Sequence, residues 1–503
     1  MEKHKTIANT IANMASKLWS MVSIYIFVPL YIKYLGEEAY GLISFFTTMQ
    51  MALNLLGLGL SSTLRREFAL NINGGYEVNL RKYKLLRSIE AFFSVIAIVI
   101  AVACCGSARL IAEKWLDSSV LGIRVVATTV GLMGISIALQ LLSQLYFGAM
   151  LGLARQVLAN GLNVLYAALK AVGSVLVIVF FYADIRAFYV WHIVTDIVYI
   201  FVLRIILIRS ISGTGALKWK PEDFWIIRDI WKYAIGLVTI SMVAFVNKQL
   251  DRIVISKFMT LTELGAYNSC YTLGQIVTII SSAVATAIFS EFADEYSKNG
   301  TKKGLQSLYV SSYKIVVIIA SSIGAFVAVY SKALLLFWTQ SKSYVSIMER
   351  GAGLIVIGTM ILAFQEIPYA FVLAQGNTSI NRKMGLYFLM PFIISMYIGV
   401  KRYGVMGAAT VYFLYMVIQT FLYVYIIFKK YCVGNAFKWI IKDTLLPTGV
   451  AVLFAIGSQN FACLIGLDGV IEIVFAVMTG GIALCILIFI FDREIILKRI
   501  VRR

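Results

Sequence analysis

The chain has 503 residues, 60% apolar and only 14% charged, with 45 Lys plus Arg against 25 Asp plus Glu and a net charge of +20. Soluble domains average about 25% charge and 45–50% apolar residues. This composition, with a mean hydropathy of +0.85, therefore indicates a polytopic membrane protein and excludes a secreted domain, a cytosolic enzyme and a disordered tail. In a soluble protein such basicity would suggest nucleic acid. Here it belongs in cytoplasmic loops, and no nucleic-acid partner is expected.

A bilayer core takes about 20 apolar residues per helix. The first run, from about Ile11 to Ile32, is too long for a cleaved signal and reads as a retained span. Continuing along the chain gives about fourteen such runs, centred near Ser23, Ala52, Ile96, Gly134, Gly173, Tyr199, Phe245, Val277, Ala320, Ile361, Ile393, Phe413, Val452 and Val477. The run near Ile393 carries Pro391 and is the least regular. Between runs six and seven lies the longest basic connection, 209–232. Its Pro221, Glu222 and Asp223 suit a helix start, and Phe224, Trp225 and Trp231 suit a segment lying in the membrane interface. The predicted fold is all-α. It has a first lobe over 1–208 (spans 1–6), a linker over 209–232, a second six-span lobe over 233–430, and two further spans with a tail over 431–503.

Loop charge sets the orientation. The connections sharing a side with the termini hold 28 Lys and Arg and the opposite set holds 11, so both termini are expected in the cytoplasm. Six basic residues remain within spans: Lys17, Lys170, Arg204, Lys248, Arg252 and Lys314. An offset of 224 aligns Lys33 with Lys257, Tyr34 with Phe258, Gly41 with Gly265, and Glu67-Phe68-Ala69 with Glu291-Phe292-Ala293. Two six-span halves of the same orientation would be parallel repeats.

Polar residues recur at helical spacing in several spans. Span 1 has Asn9, Asn13, Lys17 and Ser20; span 2 has Thr47, Gln50, Asn54 and Ser61. Span 5 has Asn163, Tyr166, Lys170 and Ser174. Span 7 has Ser241, Asn247, Lys248, Asp251 and Arg252; span 8 has Asn268, Tyr271, Gln275, Thr278 and Ser282. Such stripes face either a hydrophilic cavity or a neighbouring helix to which they hydrogen-bond. Lys248 and Asp251, three residues apart, are either a self-neutralised pair or part of a site. The deep acids are Asp196, four residues after His192, together with Asp251 and Glu366. Six bases against three acids make the interior cationic, which suits a phosphate or diphosphate and disfavours a cationic drug.

Other chemistry finds little support. No Walker A or dinucleotide fingerprint is present, and two His make zinc improbable. The six Cys read as small core residues. The longest outer connection, around Lys332–Arg350, carries no acid–base or nucleophile set for a membrane polymerase or ligase. No cofactor, metal or catalytic residue is expected.

The stretch Asn13–Lys17, then Tyr25-Ile26-Phe27-Val28-Pro29-Leu30-Tyr31-Ile32, Leu35-Gly36, Tyr40-Gly41, Leu56-Gly57-Leu58-Gly59 and Arg65-Arg66-Glu67 resembles the polysaccharide transporter family of O-antigen and capsule repeat-unit flippases. Asn247 through Arg252 and Gly265-Ala266-Tyr267 repeat the theme. That family belongs to the multidrug/oligosaccharidyl-lipid/polysaccharide superfamily. The resemblance implies a bacterial inner-membrane flippase that moves an undecaprenyl-diphosphate-linked oligosaccharide to the outer leaflet by alternating access. It implies substrate contacts at Lys17, Asn54, Lys170, Asn247, Lys248, Arg252 and Gln275, and ion coupling at Asp251 and Glu366. Membrane lipids, a polysaccharide polymerase and glycosyltransferases would be its partners. The rival readings are a cation-coupled drug exporter and a lipid II flippase of the same superfamily.

Overall fold

The computed structural model describes residue 19 and residues 22–70, 75–212, 218–226, 242, 245–297, 302–376, 379–431 and 436–491. Lys17 lies outside these residues. Apart from one isolated bridge, the described secondary structure is helical. The helices are α1 (Val22–Leu35), α2 (Glu37–Ala69), α3 (Tyr76–Lys114), α4 (Ile123–Gly152), α5 (Gln156–Leu176, continued by a π turn to Phe181), α6 (Ile185–Ser212) and α7 (245–258). Then come α8 (Leu261–Ser297), α9 (Lys302–Val329), the short α10 (Ser331–Thr339) and α11 (Lys342–Ile347), and α12 (Gly351–Ala363) with α13 (Glu366–Ala374). The last are α14 (Ser379–Tyr431), α15 (Ala436–Ile440), α16 (Leu446–Ile465) and α17 (Gly469–Phe491).

Each of the expected span centres falls on a helix. Ten of the described helices are long and apolar enough to cross a membrane. One of them, α14, holds two passages: at Gly404 the backbone turns (φ 59°, ψ −144°), a conformation that glycine adopts without strain. Gly407 beyond the bend approaches the carbonyl of Gly399 so closely that any side chain there would collide with it. Pro391 sits within the first passage without ending it. The helix α3 has 39 residues, about 58 Å at 1.5 Å per residue. That is nearly twice a hydrocarbon core, so its basic N-terminal third extends beyond the apolar layer.

The chain divides into two compact units, Met1–Thr262 and Glu263–Arg503. In the first unit, α4 is the central helix, packed against α2, α3 and α6. Its sequence explains why. Gly134 meets Cys104 of α3, while Gly148 and Gly152 meet Ser61 and the Arg65–Phe68 turn of α2. Small residues four apart let backbones approach closely where lipid supplies no hydrophobic drive. In the second unit α9 and α12 are central, with α16 and α17 packed on α9 and α14 on α12.

The 224-residue offset reappears in the helices: α2 starts at Glu37 and α8 at Leu261. Phe68 and Phe292, equivalent under that offset, are both fully buried. The expected burial of cysteines holds for Cys270, whereas Cys105, Cys463 and Cys485 are exposed on helix faces. In a membrane span an outward face is still an apolar one, so a small apolar residue is equally at home there. Among the described residues of the linker, the expected helix start at Pro221 is a short 3-10 turn, Pro221–Ile226, and Trp231 lies outside them.

Candidate functional site

The first unit holds a buried polar network at mid-span. Asp196 of α6 is 1% exposed, and its carboxylate accepts from Lys170 of α5 at 2.7 Å. It also accepts from Ser136 of α4 at 2.5 Å, from the Tyr166 hydroxyl, and at longer range from Gln140. Gln140 bonds in turn to Gln50 of α2 and to Ser136. Lys170 also donates to the Tyr166 hydroxyl at 2.9 Å, and the Tyr166 ring stacks on Tyr199. One turn along, His192 pairs through Nε2 with Ser174, whose hydroxyl donates to the Lys170 carbonyl. The helical spacing of Tyr166, Lys170 and Ser174 therefore serves contacts among α4, α5 and α6. A carboxylate with this many donors is compensated, and its partner ammonium is neutralised. The Lys170 side chain retains 12% exposure.

A second, half-buried carboxylate lies on α3. Glu90 accepts from Arg204 of α6 at 2.5 Å, from Arg87 at 2.7 Å and from the Tyr146 hydroxyl of α4 at 2.8 Å. In the second unit Lys314 of α9 pairs with Asp443 at 3.1 Å, beside a bond between Tyr313 and Thr444. Three of the six in-span cations thus meet carboxylates from other helices. Sequence counting missed Glu90 and Asp443 because each lies at the edge of its apolar run. Glu90 does have Arg87 one turn earlier, which was a usable signal.

The α7 residues divide between faces. Lys248 is exposed, while Gln249, Asp251 and Arg252 are buried. Arg252 does not reach a surface; it donates to Gln249 at 2.6 Å, and Gln249 contacts the Met51 sulfur on α2. Lys248 and Asp251 therefore point to different surroundings. Asn247 is half-buried. Asn54 lies on α2, with its side chain outside the described set. On α8, Tyr271, Gln275 and Thr278 form a half-buried stripe. Glu366 is half-buried at the start of α13, where the tenth span breaks after Ala363 and continues through i to i+3 bonds at Phe364 and Gln365. Nearby, Gln365 donates to Thr420 and Tyr423 to Asn381, both at 2.6 Å. Among the described residues, no group of three or more His, Cys, Asp or Glu is placed to hold a metal ion.

Outside the spans, the linker turn is fastened to α3. Asp223 pairs with Lys84 at 2.8 Å and accepts the Lys220 amide, while Ser88 bonds the Asp223 carbonyl and the Trp219 ring nitrogen. The Lys84 ammonium, then the Lys220 amide, hold the Asp223 carboxyl below its usual range. Trp225 remains 75% exposed.

This helical architecture, with buried polar networks within its spans, is that of a polytopic membrane protein. The sequence profile of the family described as "Polysaccharide biosynthesis protein" matches residues 6–294, and the chain belongs to that family. A Shigella flexneri protein named as a candidate O-antigen transporter is 20% identical over 386 residues, covering 75% of this chain and 86% of its own length. A Haloferax volcanii protein named as a candidate low-salt glycan biosynthesis flippase is 22% identical over 299 residues. That match covers 56% of this chain and 59% of the relative's own length. The fold matches a structure of the lipid II flippase MurJ, in an inward closed conformation, with a TM-score of 0.73. The two chains are 16% identical, and the match covers 97% of this chain and 100% of that one. An inward-facing MATE family multidrug transporter of the MOP superfamily matches with a TM-score of 0.65 at 13% identity, over 85% of this chain and 99% of that one. The chain is therefore a multi-pass membrane protein with a MurJ- and MATE-like fold, and its named relatives are transporters and flippases.

Proposed function

We propose that the protein is a flippase for a polyprenyl-diphosphate-linked oligosaccharide, undecaprenyl in bacteria, moving the repeat unit of a surface polysaccharide from the cytoplasmic to the outer leaflet. Membership of the polysaccharide biosynthesis family carries this reading, and the names of the two relatives support it. Cytoplasmic termini are the orientation that the loop charge supports, and the plasma membrane is the location that the flippase reading entails. In this reading a cation on a polar helix face holds the diphosphate. Lys248 fits that role best: it is exposed on α7, whereas Lys170, Arg204 and Lys314 are satisfied by carboxylates. Lys17, Lys170 and Arg252 are further candidates for the diphosphate. Asn54, Asn247 and Gln275 supply the polar surface for sugar. Asp251 and Glu366 are the acids for ion coupling, and a polymerase with glycosyltransferases would act before and after transport.

The test is the leaflet distribution of the diphosphate-linked oligosaccharide in cells with and without the gene. Accumulation on the cytoplasmic leaflet when the gene is lost supports the flippase. Normal crossing with unchanged surface polymer overturns it.

A further inference from the structure

The helix α3 measures depth in the membrane. Between Glu90 and Arg109 it runs 18 residues without a charge, 91–108. That is about 27 Å at 1.5 Å per residue, close to the thickness of a hydrocarbon core. The pair of Glu90 with Arg204 marks the near edge of this layer. Lys84 and Ser88 stand seven and three residues before position 91, about 10 Å and about 5 Å beyond the edge. A headgroup layer is about 5–8 Å deep on each side of the core. These same two residues fasten the linker turn. Lys84 meets the Asp223 carboxylate at 2.8 Å, Ser88 donates to the Asp223 carbonyl at 3.1 Å, and the Trp219 ring nitrogen donates to Ser88 at 2.9 Å. Contacts to α3 therefore hold the turn at headgroup depth.

The surface that the turn presents is aromatic and basic. Trp225 is 75% exposed and Phe224 39% exposed. Lys218 and Lys220, leading into the turn, are exposed, and so is Arg81, three residues before Lys84 on α3. Aromatic rings settle at the headgroup level, and cations beside a leaflet attract anionic lipid. Asp223 does not cancel this charge, because Lys84 and the Lys220 backbone amide already engage it. Glu222 is the exposed acid set against Lys218, Lys220 and Arg81 among the described residues of this surface.

We propose that the linker turn and the adjoining end of α3 form a docking surface for anionic phospholipids. Trp225 and Phe224 sit at the tops of the acyl chains, and Lys218, Lys220 and Arg81 meet the phosphates. The loop charge places this surface on the cytoplasmic leaflet. Its occupant is bulk anionic lipid rather than the diphosphate of a transported unit. A diphosphate calls for fixed, convergent donors, and Lys84, which the structure fixes here, is neutralised by Asp223. Exposed lysines act instead by diffuse attraction. Each should raise the preference for anionic over zwitterionic lipid about fivefold, the ratio that about 1 kcal/mol per Lys or Arg gives. The surface rests on the depth and chemistry of the turn and not on what the protein transports.

The full chain tests this in phosphatidylcholine bilayers. Phe224→Cys, in a background whose native cysteines are serine, carries a bromine-quenched fluorophore and keeps Trp225. The bilayers contain a small, equal fraction of lipid brominated high on its acyl chains, either phosphatidylglycerol or phosphatidylcholine. Brominated phosphatidylglycerol should quench more strongly. Lys218→Gln should cut that preference about fivefold, and Lys218→Gln/Lys220→Gln should abolish it while keeping the Lys220 amide on Asp223. Salt at about 1 M, where screening acts within about 3 Å, should abolish it without any variant. In the unlabelled parent, the tryptophan emission that Trp225→Phe removes gives the same comparison with every cysteine in place. Equal quenching by the two lipids at low salt overturns the proposal. So does quenching by neither, which would put the turn outside the headgroup layer, and so does a preference that survives in the double variant. A polyprenyl diphosphate without bromine, added at the same fraction, separates the two sources of phosphate. If it abolishes the preference, the surface serves the transported unit and the proposal fails; if the preference persists, bulk lipid is the occupant. No readout involves transport, so failure of the flippase reading and failure of this one are distinguishable.

Discussion

Removing either half of the Lys170–Asp196 pair has a calculable cost. Breaking a buried ion pair from one side typically costs about 3–5 kcal/mol, because the other charge is stranded. Lys170→Met strands a carboxylate that is 1% exposed. It keeps Ser136, Gln140 and Tyr166 as donors, so about 3–4 kcal/mol is expected. Asp196→Asn strands an ammonium whose side chain is 12% exposed and which stays bonded to the Tyr166 hydroxyl, so about 3 kcal/mol is expected. The double variant Lys170→Met/Asp196→Leu replaces the pair with apolar volume and should recover to within about 1 kcal/mol of the parent. Denaturant unfolding of the purified protein in lipid–detergent micelles gives all three values. If both single variants lie within about 1 kcal/mol of the parent, or if the double loses the sum of the two, the pair is not coupled and the argument fails. Transport by the double variant then separates two roles. Retained transport makes the pair structural, whereas loss in a stable protein gives the Lys170 charge a part in transport.

Lys248→Ala should reduce flipping of the lipid-linked unit well below that of Lys442→Ala, an exposed residue of the α15–α16 connection. Equal activities in a leaflet assay would remove Lys248 from the site. Asp223→Asn should release the linker turn from α3 and speed tryptic cleavage after Lys218 at neutral pH. Because the folded-state value is depressed, the wild-type contact is fully present above the ordinary carboxylate value and is lost only as pH falls through the lower one. Unchanged cleavage would mean that Trp219 and Ser88 suffice. Gly152→Leu would drive a side chain into the Arg65 carbonyl, 2.7 Å from the position of a Cβ, and should cost about 1–3 kcal/mol by overpacking. An unaltered unfolding midpoint would refute close α2–α4 packing.

Much of the fold was legible in the sequence because a bilayer imposes one rule: every backbone polar group must bond within its own segment. Long apolar runs therefore had to be helices, and each expected centre lies on one. The 224-residue repeat was legible for a related reason. Equivalent positions such as Phe68 and Phe292 perform the same packing task in each half. Helical spacing also showed that Tyr166, Lys170 and Ser174 share a face.

Spacing along one helix could not identify what that face meets. Asp196 lies 26 residues from Lys170, Glu90 lies 114 from Arg204, and Glu38 lies 81 from Ser119, whose backbone amide donates to it. Each pairing depends on which helices pack together, and that is set by small-residue contacts such as Gly148 and Gly152 on α2. The count of charges was therefore fixed by composition. Which of those charges are neutralised inside the protein, and which, like Lys248, stay exposed, was decided only by the tertiary structure, because a charge removed from water must find its partner across a helix–helix interface.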